Sequence, residues 1–291
     1  MRDLSKKLTI TIPTYSRWNQ LNNVLACIQS DKNSNYSVVI NDNNSDAFDE
    51  TKLYKKYKEM NLKIYRNKKN LGVVRNAIKS IKRVNTQYMI IHSDDDPYSS
   101  ELIANALLEF TKGEYIAVGA VSTEIDQNGE RLASYPVRYP AWFYPLSKKN
   151  RVMRRIYYYL LPLSTGKVNF FYSIFDKTKF KSVDNLLNVF NKNPLLFFDE
   201  MLVFCALGDG PIMIQKGIKK ELLQGNKKDY VGAGNGLISN FLEVINRVKL
   251  YYIMSDWREK FLIILLAPIK ILIEILSKLH TNIYRNIVKS K

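Results

Sequence analysis

Cysteine and histidine are nearly absent from this 291-residue chain, with two of each. Cys27 and Cys205 lie in apolar stretches of helical pattern, and no Cys/His cluster has zinc-ligand spacing. A disulfide scaffold and a structural zinc are therefore excluded, and a reducing compartment is favoured. Acidic residues are scarce as well: 27 Asp and Glu against 44 Lys and Arg leave a net charge of +17. Such an excess asks for an anionic partner, which could be nucleic acid, acidic lipid or a phosphorylated small molecule. The opening, MRDLSKKLTITIP, enters a strand pattern at once and has no apolar signal-peptide region. Nowhere does an apolar run reach the ~20 residues of a membrane-spanning helix. Internal repeats, low-complexity tracts and flexible linkers are also missing. What is present is an ordinary globular composition, 46% hydrophobic and 12% aromatic, which rules out disorder as the whole answer. The length suits one large domain with an appendage, or two domains.

Strand and helix signals alternate through the first 121 residues. Short apolar runs at Leu8–Ile12, Tyr36–Ile40, Leu62–Tyr65, Gln87–Ile91 and Tyr115–Val121 predict strands. Helical periodicity is expected over 19–30, 49–60, 72–83 and 99–111. This alternation implies a mostly parallel sheet covered on both faces. In such sheets ligands bind outside the carboxyl ends of the strands. The loops to watch are thus Pro13–Trp18, Asn41–Asp46 and Ser93–Tyr98. They bring two acidic loops and an arginine to one edge, an arrangement suited to a metal–phosphate ligand. Beyond residue 124 the pattern is irregular, with a hairpin signal at Asn128-Gly129 and a basic run Lys148–Arg155 before Tyr157–Tyr159. Strand and turn are expected over 166–180, helices over 183–208, and a long apolar helical region over 237–280, broken at Pro268.

Three clusters carry candidate chemistry. Ser93-Asp94-Asp95-Asp96 follows an apolar strand, and adjacent carboxylates repel unless a cation neutralises them, so an oxygen-ligand site for Mg²⁺ or Mn²⁺ competes with a solvated turn whose Ser99 or Ser100 caps the next helix. Asn41-Asp42-Asn43-Asn44-Ser45-Asp46 is either a plain Asx-rich loop or one that offers Asp42 to a base or ribose. Asn70-Leu71-Gly72-Val73-Val74-Arg75-Asn76 opens a helix, where backbone N–H groups and Arg75 could meet a phosphate. His92 reads as structural. Arg151, Arg154 and Arg155 could stack on bases, but suit a membrane surface or a diphosphate better.

Taken in register, the segments 12–17 (IPTYSR), 42–46, 70–76 and 93–96 resemble the family 2 glycosyltransferases of GT-A fold, over roughly residues 7–120. The resemblance implies an α/β fold: a Rossmann-like, mostly parallel sheet flanked by helices, here with a C-terminal amphipathic helical extension. It implies a nucleotide-diphosphate sugar donor, a divalent cation (Mn²⁺ or Mg²⁺) and inversion of configuration. Pro13, Thr14, Tyr15 and Arg17 would line the nucleotide pocket, Asp42 and Asn44 the base, and Arg75 the diphosphate. Asp94 would face the ribose and Asp96 the metal as a DxD motif, with Asp95 the alternative ligand because Ser93 shifts the usual register. Asn43 and Asn44 stand where relatives often have glycine, which leaves the base open. Leu195–Leu202, with Asp199 and Glu200, resembles the family's acidic base motif. An inverting transfer needs such a carboxylate at the acceptor hydroxyl, so Asp199 is the expected base and Glu200 the fallback; the alternative is that Asp199 caps its helix. The segment Leu163–Phe170 resembles the acceptor-side loop.

These readings divide the chain into a catalytic domain, 1–236 (nucleotide-binding half about 1–122, acceptor-side half about 123–236), and a helical membrane-associating region, 237–291. The most apolar stretch, Phe261–Leu276, contains Pro268, Lys270 and Glu274 and has basic flanks. It reads as an in-plane helix on anionic lipid, or else as a helix packed on the core. Basic charge is concentrated at 52–83, 148–167 and 247–291, away from the acidic loops. A nucleic-acid-binding protein and an inactive membrane scaffold are the competing classes, and nucleic acid is not expected as a partner. A nucleotidyltransferase is disfavoured because Ile10–Trp18 contains no glycine. The overall expectation is a hexosyl-type transferase acting on a lipid-linked or oligosaccharide acceptor in bacterial polysaccharide or lipooligosaccharide synthesis. It would sit in the cytoplasm, peripheral on the inner face of the membrane.

Overall fold

Among the described residues seven strands form one sheet: β1 (Leu8–Thr14), β2 (Ser37–Asp42), β3 (Asn61–Arg66), β4 (Tyr88–Ile91), β5 (Ala117–Ile125), β6 (Ile174–Asp176) and β7 (Ile212–Leu223), in the order β3-β2-β1-β4-β6-β5-β7. The computed structural model describes residues 6–31, 35–46, 49–125, 140–192, 197–223 and 237–289. The hairpin signal at Asn128-Gly129 lies outside them. β1 pairs in parallel with β2 and β4, and β2 with β3, whereas β6 runs antiparallel to β4 and β5. β7, which the sequence did not announce, pairs in parallel with β5.

Side chains of β4 alternate between two cores, as the period of two requires. Tyr88 and Ile90 join Leu8, Ile10 and Ile12 beneath α1 (Trp18–Ser30) and α4 (Ser100–Lys112). Met89 and Ile91 join the opposite core with α3 (Val73–Lys82), α5 (Arg151–Leu160), α6 (Val183–Lys192) and α7 (Phe198–Asp209). The remaining helices are α2 (Glu50–Lys56), α8 (Leu237–Ile253) and α9 (Trp257–Lys289), and short 3-10 turns precede and follow α5. Leu250, Tyr251 and Ile263 of α8 and α9 belong to the second core. Both cysteines are free, and Ser99 caps α4 through the Leu102 amide.

Two expectations for the C-terminal half are corrected. The helical break falls at Met254–Asp256, and α9 runs through Pro268. The start of α9 is a capping box: Asp256 accepts the Glu259 N–H at 3.0 Å, and Glu259 accepts the Asp256 N–H at 3.2 Å. The reciprocal pair satisfies orphan donors at the helix start, and Pro268, farther along, lies on the exposed face of α9 without ending it. Arg154 and Arg155 do not lie at a surface. Arg154 donates to the carbonyls of Leu207, Lys148 and Lys149, and Arg155 pairs with buried Glu259 and donates to the Met254 carbonyl. The basic run is thus a structural clamp between α5, α7 and the turn into α9.

The helix α9 is polarised in an unusual sense. Glu259, Ile263, Leu266, Lys270, Glu274 and Ser277, at helical spacing, face the body of the protein. Lys270 donates to the Leu161 carbonyl at 2.9 Å and pairs with Glu274, and Glu274 accepts the Leu163 N–H at 3.3 Å. The opposite stripe is apolar and exposed, from Trp257 (74% exposed) and Phe261 (67%) to Leu279 (51%). Among the described residues no helix is long and apolar enough to cross a membrane.

Candidate functional site

The carboxyl ends of β1, β2 and β4 meet as the topology requires. Thr14, the last residue of β1, donates its hydroxyl to Asp94 Oδ2 at 2.6 Å. Arg17 reaches Asp94 Oδ1 at 3.3 Å and pairs with Asp95, which also accepts the Ser93 hydroxyl. Asp94 and Asp96 are buried beside them. Burial, reinforced by the negative charge of Asp95, raises the Asp94 pKa against the opposing Thr14 and Arg17 contacts. Pro13 lies within β1 opposite Asn41, and Tyr15 is exposed at the mouth of the loop. His92 is buried, its Nδ1 2.6 Å from the Ser93 carbonyl.

Asp42 shapes the second loop. It is fully buried, accepts the backbone N–H groups of Asn44 (3.1 Å) and Ser45 (3.0 Å), and lies 3.4 Å from Arg66 Nε. Asn44 has a left-handed backbone (φ 69°), which asparagine tolerates because its amide bonds locally. The Ser45 hydroxyl in turn accepts the Ser16 N–H at 2.8 Å, tying this loop to the one after β1.

A network of asparagines joins the ends of β1, β2 and β3 to the start of α3, and sequence reasoning did not find it. Asn76 donates to the carbonyls of Asn41 (3.1 Å) and Thr14 (3.4 Å) and accepts from Asn67 (2.8 Å). Asn43 accepts from Asn67 (3.0 Å) and from the Leu71 amide (2.9 Å), and donates to Asn70 (2.7 Å). Five asparagines on segments far apart in sequence give no local signal; only the topology brings them together. Asn70 also accepts the Gly72 N–H at 2.8 Å. Gly72 has φ 80° and ψ 163° with open space around its α-carbon, so the backbone angle, not crowding, calls for glycine. Arg75, one turn on, donates from Nε to the Asn191 carbonyl at 3.2 Å, joining α3 to the end of α6.

Asp199 and Glu200 start α7 in unlike surroundings. Asp199 is half-buried, and its Oδ1 accepts the Glu200 N–H at 2.8 Å. Burial, assisted by the charge of Glu200, pushes its carboxyl up to about 6. Glu200 is 1% exposed and closed in. It meets Lys167 at 2.9 Å, Arg247 at 3.5 Å and the Tyr251 hydroxyl. Burial works to raise it, but the charges of Lys167 and Arg247 prevail and hold it at about 2. Burial also pulls Lys167 down to about 7, against the attraction of Glu200. These tendencies oppose each other. Two cations and the Tyr251 hydroxyl around one carboxylate favour the ionised pair.

The carboxylates of the 94–96 turn offer hard oxygen donors, the set that suits Mg²⁺ or Mn²⁺. Asp94 and Asp95 already hold Thr14, Arg17 and Ser93, and among the described residues no three His, Cys, Asp or Glu side chains are grouped as a metal cage. The residues therefore fit a cation that brings its own oxygen ligands, as Mg²⁺ does with phosphates, and do not fit a resident ion held by protein alone.

Comparison with known proteins agrees with this geometry. The model of the family described as glycosyl transferase family 2 matches residues 9–182. No curated protein sequence matches the chain. Among solved structures, S. aureus TarS (residues 1–349, in complex with UDP-GlcNAc) superposes with a TM-score of 0.58 at 13% identity, covering 88% of this chain and 70% of that one. A mannosyltransferase from Pyrobaculum calidifontis, in complex with GDP-Man and Mn²⁺, gives 0.50 at 13% identity, covering 93% and 73%. At that identity the likeness shows the shared fold, a mostly parallel sheet flanked by helices.

Proposed function

The chain belongs to glycosyl transferase family 2, and from that premise we propose that it moves a sugar from a nucleotide-diphosphate donor to an acceptor hydroxyl with inversion. The observation that carries this reading is the convergence of Thr14 and Arg17 on Asp94 and Asp95 where β1 and β4 end. This edge of an α/β sheet is where a nucleotide binds. Pro13, Thr14, Tyr15 and Arg17 form one wall of its pocket, and the loop shaped by Asp42, with Asn44 at its turn, receives the base. The asparagine network keeps these loops in place before the donor arrives. The start of α3, with Arg75, serves the diphosphate.

The transfer forms a bond between the acceptor oxygen and the anomeric carbon. The bond from that carbon to the diphosphate breaks, and its electron pair leaves with the nucleotide. The acceptor proton passes to a carboxylate, and Asp199 is the better candidate: it is partly exposed and its raised pKa makes it a stronger base. Glu200 lacks access and is spent on Lys167, Arg247 and Tyr251. Asp96, with Asp95 as the alternative, would hold a divalent cation, Mn²⁺ or Mg²⁺, which when bound would supply positive charge for the leaving diphosphate.

The finer biological reading is a lipid-linked or oligosaccharide acceptor in bacterial surface-glycan synthesis, with the protein peripheral on the cytoplasmic side of the membrane. The exposed apolar stripe of α9 and its basic neighbours support that placement. A thermal-shift screen of nucleotide sugars with Mn²⁺ tests the chemistry. One donor should stabilise the protein, and Asp96→Ala should abolish the shift. Asp199→Asn should keep the shift while turnover falls about 10²–10⁴-fold. If no nucleotide sugar stabilises the protein, the reading fails.

A further inference from the structure

The tail helix buries its acids and exposes its apolar side chains. Glu259 and Glu274, the acids of α9, are buried against the protein. Phe261, Leu265, Leu272 and Leu276, each at least 55% exposed, face outward at helical spacing. The preceding helix extends the patch with Phe241 and Leu242. Scattered exposed apolar residues need no explanation, but a contiguous stripe of this length marks an interaction site.

Its rim identifies the occupant. Where α8 turns into α9, the Arg258 guanidinium lies 5.2 Å from the Trp257 ring and Lys260 lies 5.2 Å from the ring of Tyr252. Aromatic rings beside cations are the side-chain set of a membrane–water interface. Asp256, the acid at this turn, is held by Arg151 at 3.5 Å. Anionic headgroups complement these cations.

We propose that the outer face of α8 and α9 is a docking surface for an anionic bilayer, lying in the plane of the interface and not crossing it. The inference deepens the peripheral placement above and does not depend on the transfer chemistry. Its consequence concerns the acceptor. The inner face of α9 holds the acceptor-side loop directly, through the Leu161 carbonyl, the Leu163 amide and Ser164. A helix with its side chains is ~10–12 Å across, and an in-plane helix sinks ~5–10 Å into the headgroup boundary. The loop therefore sits at headgroup level. A sugar carried close to a lipid anchor would be within its reach, which favours a lipid-linked acceptor over a soluble one.

Sedimentation of the full chain with phosphatidylglycerol–phosphatidylcholine vesicles, and with phosphatidylcholine vesicles alone, tests the surface. The wild type should bind the mixed vesicles. Phe261→Ser/Leu265→Ser/Leu272→Ser should weaken binding at least about tenfold, the loss of three buried side chains. Arg258→Ala should reduce the preference for anionic vesicles about fivefold, the equivalent of ~1 kcal/mol per cation. The thermal midpoint of each variant without ligand reports its folding, and stabilisation by a nucleotide sugar tests the transfer reading separately. A triple variant that binds like wild type overturns the proposal. So does a wild-type protein that ignores anionic vesicles, whether monomeric or dimeric by light scattering.

Discussion

In β1 and β4 the apolar side chains are buried and the carboxylates collect at the strand ends; in α9 the carboxylates are buried and the apolar side chains face out. The same contrast separates the two acidic motifs. Asp94 and Asp95 keep Thr14, Ser93 and the partly exposed Arg17 as partners, at an edge where a charged ligand can enter. Glu200 is enclosed by Lys167, Arg247 and Tyr251, all brought from other elements, and its charge is balanced by the protein's own cations although its Oε2 accepts no hydrogen bond. Acid-rich sequence therefore has two meanings in one chain. What separates them is whether the countercharge comes from the protein or must come from outside.

The comparison can be tested from the largest effect down. Lys167→Met leaves Glu200 buried with one cation fewer, and should destabilise the protein by about 3–5 kcal/mol, read as a lower denaturant midpoint. An unchanged midpoint would mean that the buried cluster does not carry the C-terminal half. Ile263→Ala, at a side chain with no exposure, should cost about 2–5 kcal/mol. The pH profile addresses the two neighbouring carboxylates. Asp199 is raised to about 6 and acts when deprotonated. Turnover should thus fall about tenfold per pH unit below that value and level off above it. Glu200, held at about 2, does not titrate in this window, so a limb that bends near an ordinary carboxylate pKa would remove Asp199 from the base role. Smallest is Ile264→Ala, one residue from Ile263 but 61% exposed. It should change stability by less than about 0.5 kcal/mol in lipid-free buffer. An equal cost at the two sites would show that the outer face is covered.

The nucleotide side was legible because its signals are local. Apolar runs ending in Pro13, Asp42 and Ser93 mark strand ends, and the parallel alternation sends those ends to one edge. Thr14, Arg17, Asp94 and Asp95 were therefore found as candidates and are found together. The partners of Asp42 within its own loop were not foreseen, nor was the asparagine network, since Asn41, Asn67 and Asn76 meet only through strand pairing and the packing of α3 on the sheet. The basic run at 148–155 misled for a related reason. A charge pattern reads as surface until a buried acid such as Glu259, 104 residues from Arg155, is placed against it. The strand β7 was missed as well, because its pairing with β5 is what stabilises it.

The sequence by itself determined the alternating α/β plan, the loops gathered at the strand ends and the apolar character of the tail, because periodicity and strand-end motifs act over a few residues. It also supplied the Asp199-Glu200 pair. Tertiary structure alone decided that Asp199 stays accessible while Glu200 is sealed among cations, and that α9 turns its ionic side inward. Burial and long-range ion pairs set those outcomes, and their partners lie dozens to more than a hundred residues apart along the chain.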